Sequence, residues 1–179
     1  EDDGGPRNYL LVVNAGPREK DWEWLKEQKR KFPDAILEDR TNEMGMMAFQ
    51  GPAAKKVLEK ILKLPDPWRN RLRVCQVDGI WVMVSRTGYT GEPICFEIFT
   101  SREKLEFLWQ RILTEGEKEG ILPAGLGARD SLRLEAGLVL YGNELGLDRE
   151  KKDIPVYAML PAARVTVSFS PLKGEFIGR

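Results

Sequence analysis

The sequence predicts an α+β protein with mixed, mostly antiparallel sheets and flanking helices. An Asp-Gly pair at residues 78–79 joins two runs rich in β-branched residues, a pattern typical of a tight β-hairpin. Other segments repeat apolar residues at the spacing of an amphipathic helix. The helices and strand-like runs mix along the chain with hairpin connections between strands. Together these observations favour α+β.

Short apolar runs bounded by turn residues predict the strands. The run YLLVVN is apolar almost throughout, so its strand is expected to be buried. The predicted strands are, in chain order, residues 9–14, 35–40, 44–49, 72–77, 80–85, 95–99 and 164–168.

Apolar residues at helical spacing predict four helices. Pro33 ends the first, because a proline disfavours helical geometry in the residue before it. Pro52 suits the first turn of the second helix, which continues to Leu62. The third carries an apolar stripe that includes Leu108 and Ile112. The predicted helices are residues 18–31, 52–62, 102–119 and 128–136.

Composition excludes several kinds of protein. The 179 residues include 28 Lys+Arg, 28 Asp+Glu and no histidine. Nucleophile systems that depend on histidine cannot be built, and we predict no metal site because most zinc sites lose their commonest ligand. Balanced charge argues against binding to nucleic acid or to an anionic membrane, and no apolar run reaches the roughly 20 residues that span a bilayer. Cys75 and Cys95 lie in strand-like runs, so we expect buried, structural thiols and a reducing compartment.

The polar loop RTGYTGE at residues 86–92 is the first candidate for function. Two glycines beside an aromatic residue allow a tight turn that directs Tyr89 outward, as a stacking platform for a flat ligand requires. The alternative is a long hairpin loop that Tyr89 plugs.

Glu97 is the second candidate, because strand alternation projects its carboxylate among apolar neighbours. An unpaired buried charge is costly, so Glu97 needs a partner. That partner is either an arginine or a ligand that offers two adjacent N–H donors.

Arg129 and Arg133 are the third candidate, since residues four apart lie on one face of a helix. One interpretation is a surface pair that closes ion pairs with Asp130 or Glu135 and contributes little to stability. The other is a functional role for Arg129, because the helix dipole disfavours a cation near the helix start.

Several stretches of the sequence form a set of motifs in a fixed order. The longest is GLGARDSLRLEAGL at residues 125–138, followed after Val139 by LYGNEL at 140–145. The others are YLLVVNA at 9–15, AFQGP at 48–52, RTGYTGE at 86–92 with FE at 96–97, and KGEFIGR at 173–179. Together these motifs resemble the T-protein (aminomethyltransferase) family of the glycine cleavage system. The resemblance runs in order over almost the whole chain and implies part of the folate-binding T-protein fold.

This resemblance implies an enzyme that takes the aminomethyl group from the lipoyl arm of the H-protein, releases ammonia and leaves methylenetetrahydrofolate. It implies tetrahydrofolate and the lipoylated H-protein as partners, with no nucleic acid or membrane. Carried over by position, Glu97 binds the pterin edge, Arg129 contacts the folate, Tyr89 lines the pterin pocket and Asn14 lies near it. The expected location is the cytoplasm, or the mitochondrial matrix in a eukaryote. The alternative is a folate-binding domain of a dimethylglycine or sarcosine dehydrogenase, or of an iron–sulfur assembly protein.

One departure from the family concerns the catalytic acid, an aspartate in an Asp-Asp pair before an apolar strand. Here Asp2 and Asp3 precede GGP instead. We therefore leave the acid unassigned, and expect it upstream of Glu1 rather than at Asp3. Residues 1–145 are predicted to form a central folate-binding region, with parts of two subdomains, and residues 146–179 a linker and the start of a C-terminal β-barrel. On this interpretation the chain alone is inactive.

Overall fold

The computed structural model describes residues 8–62 and 69–154, together with residues 170, 172 and 174. Two compact units divide the chain: residues 1–38 with 140–155, and residues 39–139 with 156–179. Short 3-10 turns lie at Arg102–Lys104 and Glu117–Glu119. The elements are, in chain order, α1 (Arg18–Lys29), β1 (Met44–Gln50), α2 (Ala54–Leu62), β2 (Leu72–Val77), β3 (Ile80–Ser85), β4 (Cys95–Ser101), α3 (Leu105–Gly116), α4 (Leu126–Glu135), β5 (Gly146–Leu147) and β6 (Asp153–Ile154).

The second unit is built on a four-stranded antiparallel sheet in the order β1-β4-β3-β2. Helices α2 and α3 contribute Val57, Leu58, Leu108 and Ile112 to the core over one sheet face. Each helix therefore presents its apolar stripe inward, as the helical spacing predicts. The α+β class with antiparallel pairing and flanking helices is confirmed.

The β2–β3 hairpin forms at the position that the Asp-Gly pair predicts. Asp78 and Gly79 both have positive φ, 48° and 80°, which is the backbone geometry of a type I′ turn. The register places Val77 opposite Ile80 and Leu72 opposite Ser85, so all six residues of each strand pair. Because the turn fixes the register, it also decides which face of the sheet each β3 side chain occupies.

Alternation along the strands divides the sheet into a helix-packed face and a second face that carries Glu97. Val84 and Ile98 pair on the helix-packed face, and both are fully buried. Ser85 pairs with Glu97 on the other face, where Trp81 is 65% exposed. We call this second face the Glu97 face; it consists of residues 44, 46, 48 and 50 of β1, 95, 97, 99 and 101 of β4, 81, 83 and 85 of β3, and 72, 74 and 76 of β2.

Ion pairs to Glu119 also join α2 at its surface to the 3-10 turn that follows α3. Lys56 Nζ lies 2.7 Å and Lys60 Nζ 3.0 Å from the Glu119 carboxylate. The hydrogen bond from Lys56, followed by that from Lys60, holds the pKa of Glu119 below its ordinary value.

The lowered pKa of Glu119 predicts a loss of stability in acid. A carboxylate whose pKa is lower in the folded state stabilises the fold above the unfolded-state pKa, about 4.3, and stops doing so as the pH falls through the folded value. We expect Glu119→Gln to remove part of this dependence, measured as urea midpoints between about pH 5 and about pH 3. Glu117→Gln removes the same charge from the same turn and is the control. Equal acid sensitivity in wild type and Glu119→Gln would contradict the prediction.

The first unit contains α1 and a two-stranded pair, β5 with β6. Helix α1 forms where it is predicted but ends at Lys29 rather than at residue 31, and Trp22 and Leu25 are half-buried on it. Lys20 Nζ lies 3.4 Å from the Tyr141 hydroxyl and 5.8 Å from its ring centroid, which ties α1 to the segment before β5.

Two predicted strands are wrong. Residues 9–14 have no regular structure and are exposed, with Tyr9 at 80%. Residues 35–40 are also irregular, and Ile36 is 87% exposed. An apolar run becomes a strand only where another strand meets its backbone hydrogen-bonding groups, and within the described residues no strand pairs with either segment.

The remaining predictions about elements have mixed outcomes. Strands β1 and β4 and helices α2, α3 and α4 form within a few residues of their expected bounds. Cys75 and Cys95 are buried and unbridged, as expected. The strand at 164–168 lies outside the described residues, and the domain boundaries 1–145 and 146–179 stay a prediction. In the described ranges, no helix combines the length and apolar character needed to cross a bilayer.

Candidate functional site

The polar residues of the Glu97 face gather at one end of the sheet. Glu97 is flanked across the strands by Ala48 of β1 and Ser85 of β3, and Gln50 pairs with Cys95 beside them. Ala48 has the smallest side chain of these neighbours and is itself exposed, which leaves room above the carboxylate. The strand register thus places one half-buried acid on an otherwise uncharged patch.

Thr87 is the hydrogen-bond partner of Glu97. Its Oγ1 makes a short hydrogen bond to Glu97 Oε2 and also lies 3.0 Å from Ser85 Oγ. A hydroxyl carries one proton, so Thr87 donates to the carboxylate and accepts from Ser85. In the part of the chain that the structure describes, Glu97 Oε1 has no hydrogen bond. Of the two partners that the sequence suggested, the arginine is therefore not the one found.

The 86–92 loop packs closely against this end of the Glu97 face. A Cβ placed on Gly88 would lie 2.1 Å from Cys95 Cβ and 3.0 Å from Gln50 Oε1, so no side chain fits there. Gly91 has φ +81°, and a Cβ on it would lie 2.7 Å from Ala136 Cβ. Both glycines are therefore required, one by the sheet beneath the loop and one by the end of α4.

Tyr89 is held at three points. Its backbone N–H donates to Gln50 Oε1 at 3.0 Å, and its hydroxyl makes a short hydrogen bond to the carbonyl oxygen of Val139. The Arg129 guanidinium lies over its ring, 5.3 Å from the centroid. Tyr89 is half-buried, so it partly plugs the loop, and one side of its ring carries a cation. The interpretation of Tyr89 as a plug of the loop describes part of this arrangement, and the stacking platform for a flat ligand stays a prediction.

The two arginines of α4 have different surroundings. Arg129 is exposed and stacks on Tyr89, whereas Arg133 is 1% exposed and lies 2.7 Å from the Asp130 carboxylate. The interpretation of a surface pair is wrong for Arg133, because it is fully buried. It is correct in one respect, since the partner is Asp130. Arg129 is left on the outer side, where its charge is available to a ligand.

Sequence reasoning missed Gln50 as a site residue. Its Oε1 accepts the Tyr89 N–H, and its Nε2 is buried without an acceptor in the described residues. Such a donor is costly unless a ligand or water meets it. The available signal was the position of Gln50 at the end of a strand directly before Gly51-Pro52.

The Cys95 thiol lies beside Gln50 at the same end of the sheet, but it is unreactive. Burial raises its pKa, against a smaller opposing effect of the Thr90 hydrogen bond. The thiol also donates to the Glu92 carbonyl at 3.2 Å. A protonated, buried thiol is a poor nucleophile, so the structural role expected for Cys95 is supported.

Asn14, the fourth residue that the resemblance suggests, belongs to the first unit, where it is exposed in an irregular segment. Its role stays a prediction. Within the second unit, Phe99 is the next residue after Glu97 on the same face of β4. It lines a groove of about 300 Å³ with Met83 and Trp81, and Arg40 and Glu43 also line this groove. The Glu97 face therefore joins a polar end to a groove with a mixed lining of apolar and charged residues.

The arrangement suits recognition of a flat, polar molecule. A carboxylate with one oxygen available favours a ligand with adjacent N–H donors, since bidentate charge-assisted bonds are strong. The aromatic ring and the guanidinium beside it favour a planar, electron-rich or anionic group.

Comparison with known proteins identifies the family of this chain. A family profile described as the GCVT N-terminal domain matches residues 4–158. An aminomethyltransferase of Chlorobium luteolum is 41% identical over 176 residues, which is 97% of this chain and 46% of that protein. One of Desulfitobacterium hafniense is 46% identical over 143 residues, 79% of this chain and 39% of that protein.

A solved structure also resembles this chain. It is the crystal structure of glycine cleavage system aminomethyltransferase T from Bartonella henselae, with 32% identity and a TM-score of 0.57 over 73% of this chain and 34% of that one. The chain thus spans less than half the length of these three proteins. It belongs to the family of the glycine cleavage T-protein, within the GCVT N-terminal domain.

Proposed function

We propose that the chain forms the folate-binding part of an aminomethyltransferase of the glycine cleavage system. In this reaction the aminomethyl group on the lipoyl arm of the H-protein loses its nitrogen as ammonia, and its methylene carbon is transferred to tetrahydrofolate. The observation that carries the proposal is Glu97 on the Glu97 face, with Thr87 on one oxygen and the other available. The family assignment supports the same reaction.

Glu97 fits the pterin edge of a folate. The amino-pyrimidinone of a pterin presents adjacent N–H donors, and a carboxylate accepts two of them. Hydrogen bonds to a charged group contribute roughly 1.5–3 kcal/mol each. The Thr87 bond to Oε2 orients the carboxylate before the ligand arrives, so less side-chain entropy is lost on binding.

Tyr89 and Arg129 act together on the same ligand in this proposal. The Tyr89 ring lines the pterin pocket, and the exposed Arg129 charge beside it contacts the folate. The buried Gln50 Nε2 offers one further donor to a folate carbonyl. Asn14 is retained as a folate contact on the resemblance alone.

The lipoylated H-protein is the proposed protein partner, and the bacterial relatives favour a cytoplasmic location. No described residue is assigned as the catalytic acid, and Asp2 and Asp3 lie outside the described residues. Because the matched relatives are more than twice as long, we expect no transferase turnover from the 179-residue chain alone. Ammonia release by this chain would contradict that expectation.

A chimera tests the proposed reaction. The chain replaces the matching segment of the Chlorobium luteolum aminomethyltransferase, and ammonia release from aminomethylated H-protein is measured with tetrahydrofolate. We expect turnover by the chimera and its loss in the same chimera with Glu97→Gln. Folate binding without turnover would instead support a folate-binding module of the dehydrogenase or assembly-factor type. Absence of both would contradict the proposal.

A further inference from the structure

The end of α4 is fixed by a Schellman motif. Gly137 has φ +69°, its N–H donates to the Leu134 carbonyl at 2.9 Å, and the Leu138 N–H donates to the Arg133 carbonyl at 2.9 Å. These bonds satisfy two of the last carbonyls of the helix and direct the chain into residues 138–139. That two-residue segment includes the carbonyl that accepts the Tyr89 hydroxyl.

The Arg133 side chain holds the same segment from a second direction. Its Nη1 donates to the Leu138 carbonyl at 3.2 Å, while Nε and Nη2 each lie 2.7 Å from Asp130 Oδ1. A fully buried guanidinium is costly unless its donors are met. Asp130 supplies the countercharge, and the Leu138 carbonyl takes a donor on the other arm. The planar fork thus bridges the helix and the chain that leaves it.

The carbonyl that accepts the Tyr89 hydroxyl belongs to the residue directly after the one that Arg133 holds. Arg133 fixes the Leu138 carbonyl, the next carbonyl is that of Val139, and Tyr89 donates to it. The planar peptide between Leu138 and Val139 carries the Leu138 carbonyl and the Val139 N–H, and only the φ and ψ of Val139 separate this plane from the one with the Val139 carbonyl. Arg133 and Tyr89 therefore hold adjacent peptide planes. Arg129, four residues before Arg133 on the same helix, then lies over the ring that this carbonyl holds.

We propose that Arg133 is a positioning residue that sets the orientation of the Tyr89 ring through the Leu138 and Val139 carbonyls. The inference rests on the proposed function, in which Tyr89 lines the folate pocket. Arg133 does not touch the ligand in this account. It acts by keeping the ring and the Arg129 guanidinium stacked before folate binds.

Fluorine NMR on the 179-residue chain with fluorotyrosine tests this directly. The sequence has four tyrosines, and Tyr89→Phe assigns the resonance of Tyr89 by its disappearance. In Arg133→Gln we expect that resonance to move toward the position of free fluorotyrosine. Arg133→Lys keeps a charge for Asp130 but lacks the second arm of the fork, and we expect a smaller shift. Arg102→Gln, at an exposed arginine of the same unit, is the control and should leave the resonance in place.

Tetrahydrofolate titration gives the second readout. We expect the dissociation constant to rise about three- to tenfold in Arg133→Gln and less in Arg133→Lys, as for loss of one orienting hydrogen bond. A purely structural role would lower the urea midpoint without moving the Tyr89 resonance in Arg133→Lys, and that result would overturn the proposal. If Arg133→Gln fails to fold, the Tyr89 resonance in Arg133→Lys decides whether the proposal holds.

The two readouts separate the two proposals. If wild type shows no folate binding, the proposed function fails, and the Tyr89 resonance still decides whether Arg133 orients the ring. If wild type binds folate and the resonance does not move in either Arg133 variant, the proposed function stands and the positioning role is wrong.

Discussion

Replacing Glu97 by glutamine is expected to weaken tetrahydrofolate binding at least about tenfold, because a neutral amide cannot accept two N–H donors as a carboxylate does. The fold should be unaffected. The glutamine carbonyl oxygen can still accept the Thr87 hydroxyl, so the short bond at the base of the site is retained. Isothermal titration calorimetry on the 179-residue chain measures the difference.

Two matched variants sharpen the Glu97 experiment. Thr87→Val removes the orienting hydroxyl but keeps the charge, and we expect a smaller loss of affinity than in Glu97→Gln. Glu103→Gln neutralises an exposed carboxylate of the same unit and should bind as wild type does. Unchanged affinity in Glu97→Gln would show that the pterin edge does not lie on this carboxylate.

Gly88→Ala is expected to damage both stability and binding. The added methyl would lie 2.1 Å from Cys95 Cβ, which is not the end of a flexible side chain, so the loop backbone has to move. Overpacking of this kind costs about 1–3 kcal/mol. The same movement withdraws the Tyr89 N–H from Gln50, and we expect tetrahydrofolate affinity to fall at least about tenfold. Urea unfolding and calorimetry give the two measurements.

Gly127→Ala is the matched control for Gly88→Ala. Gly127 lies inside α4 with nothing within 4 Å of the added Cβ, so alanine there should stabilise slightly by helix propensity. The double variant Gly88→Ala with Cys95→Gly removes the clash and should recover part of the lost affinity. A Gly88→Ala variant as stable as wild type would contradict the close packing of the loop on β4.

The local signals in the sequence were sufficient for the sheet of the second unit. A turn that requires positive φ, at Asp78 and Gly79, fixes the hairpin without reference to the rest of the chain. Residues 9–14 lack any such signal. Their apolar character predicts that they are buried, but a strand also needs a neighbouring strand to pair with. Whether such a strand is present depends on distant parts of the chain. For this reason, the same kind of apolar run predicted β4 correctly and residues 9–14 wrongly.

The candidate site was predictable in part. The alternation of side chains along the strand identified Glu97 as a carboxylate among apolar neighbours, and the two glycines beside Tyr89 identified its loop. Helical spacing placed Arg129 and Arg133 on one face but could not separate a buried from an exposed arginine, because that depends on where residues 138–139 turn back. Gln50 was missed because its importance comes from what packs across the sheet from it.

The most direct test of the account is an NMR titration of the nitrogen-labelled chain with tetrahydrofolate under reducing conditions. If the Glu97 end of the sheet is the folate site, the largest amide shifts should fall on residues 86–92, Glu97 and the start of α4, with residues of α2 and α3 unaffected. Largest shifts elsewhere in the chain, or no shifts at saturating folate, would contradict the assignment of the site.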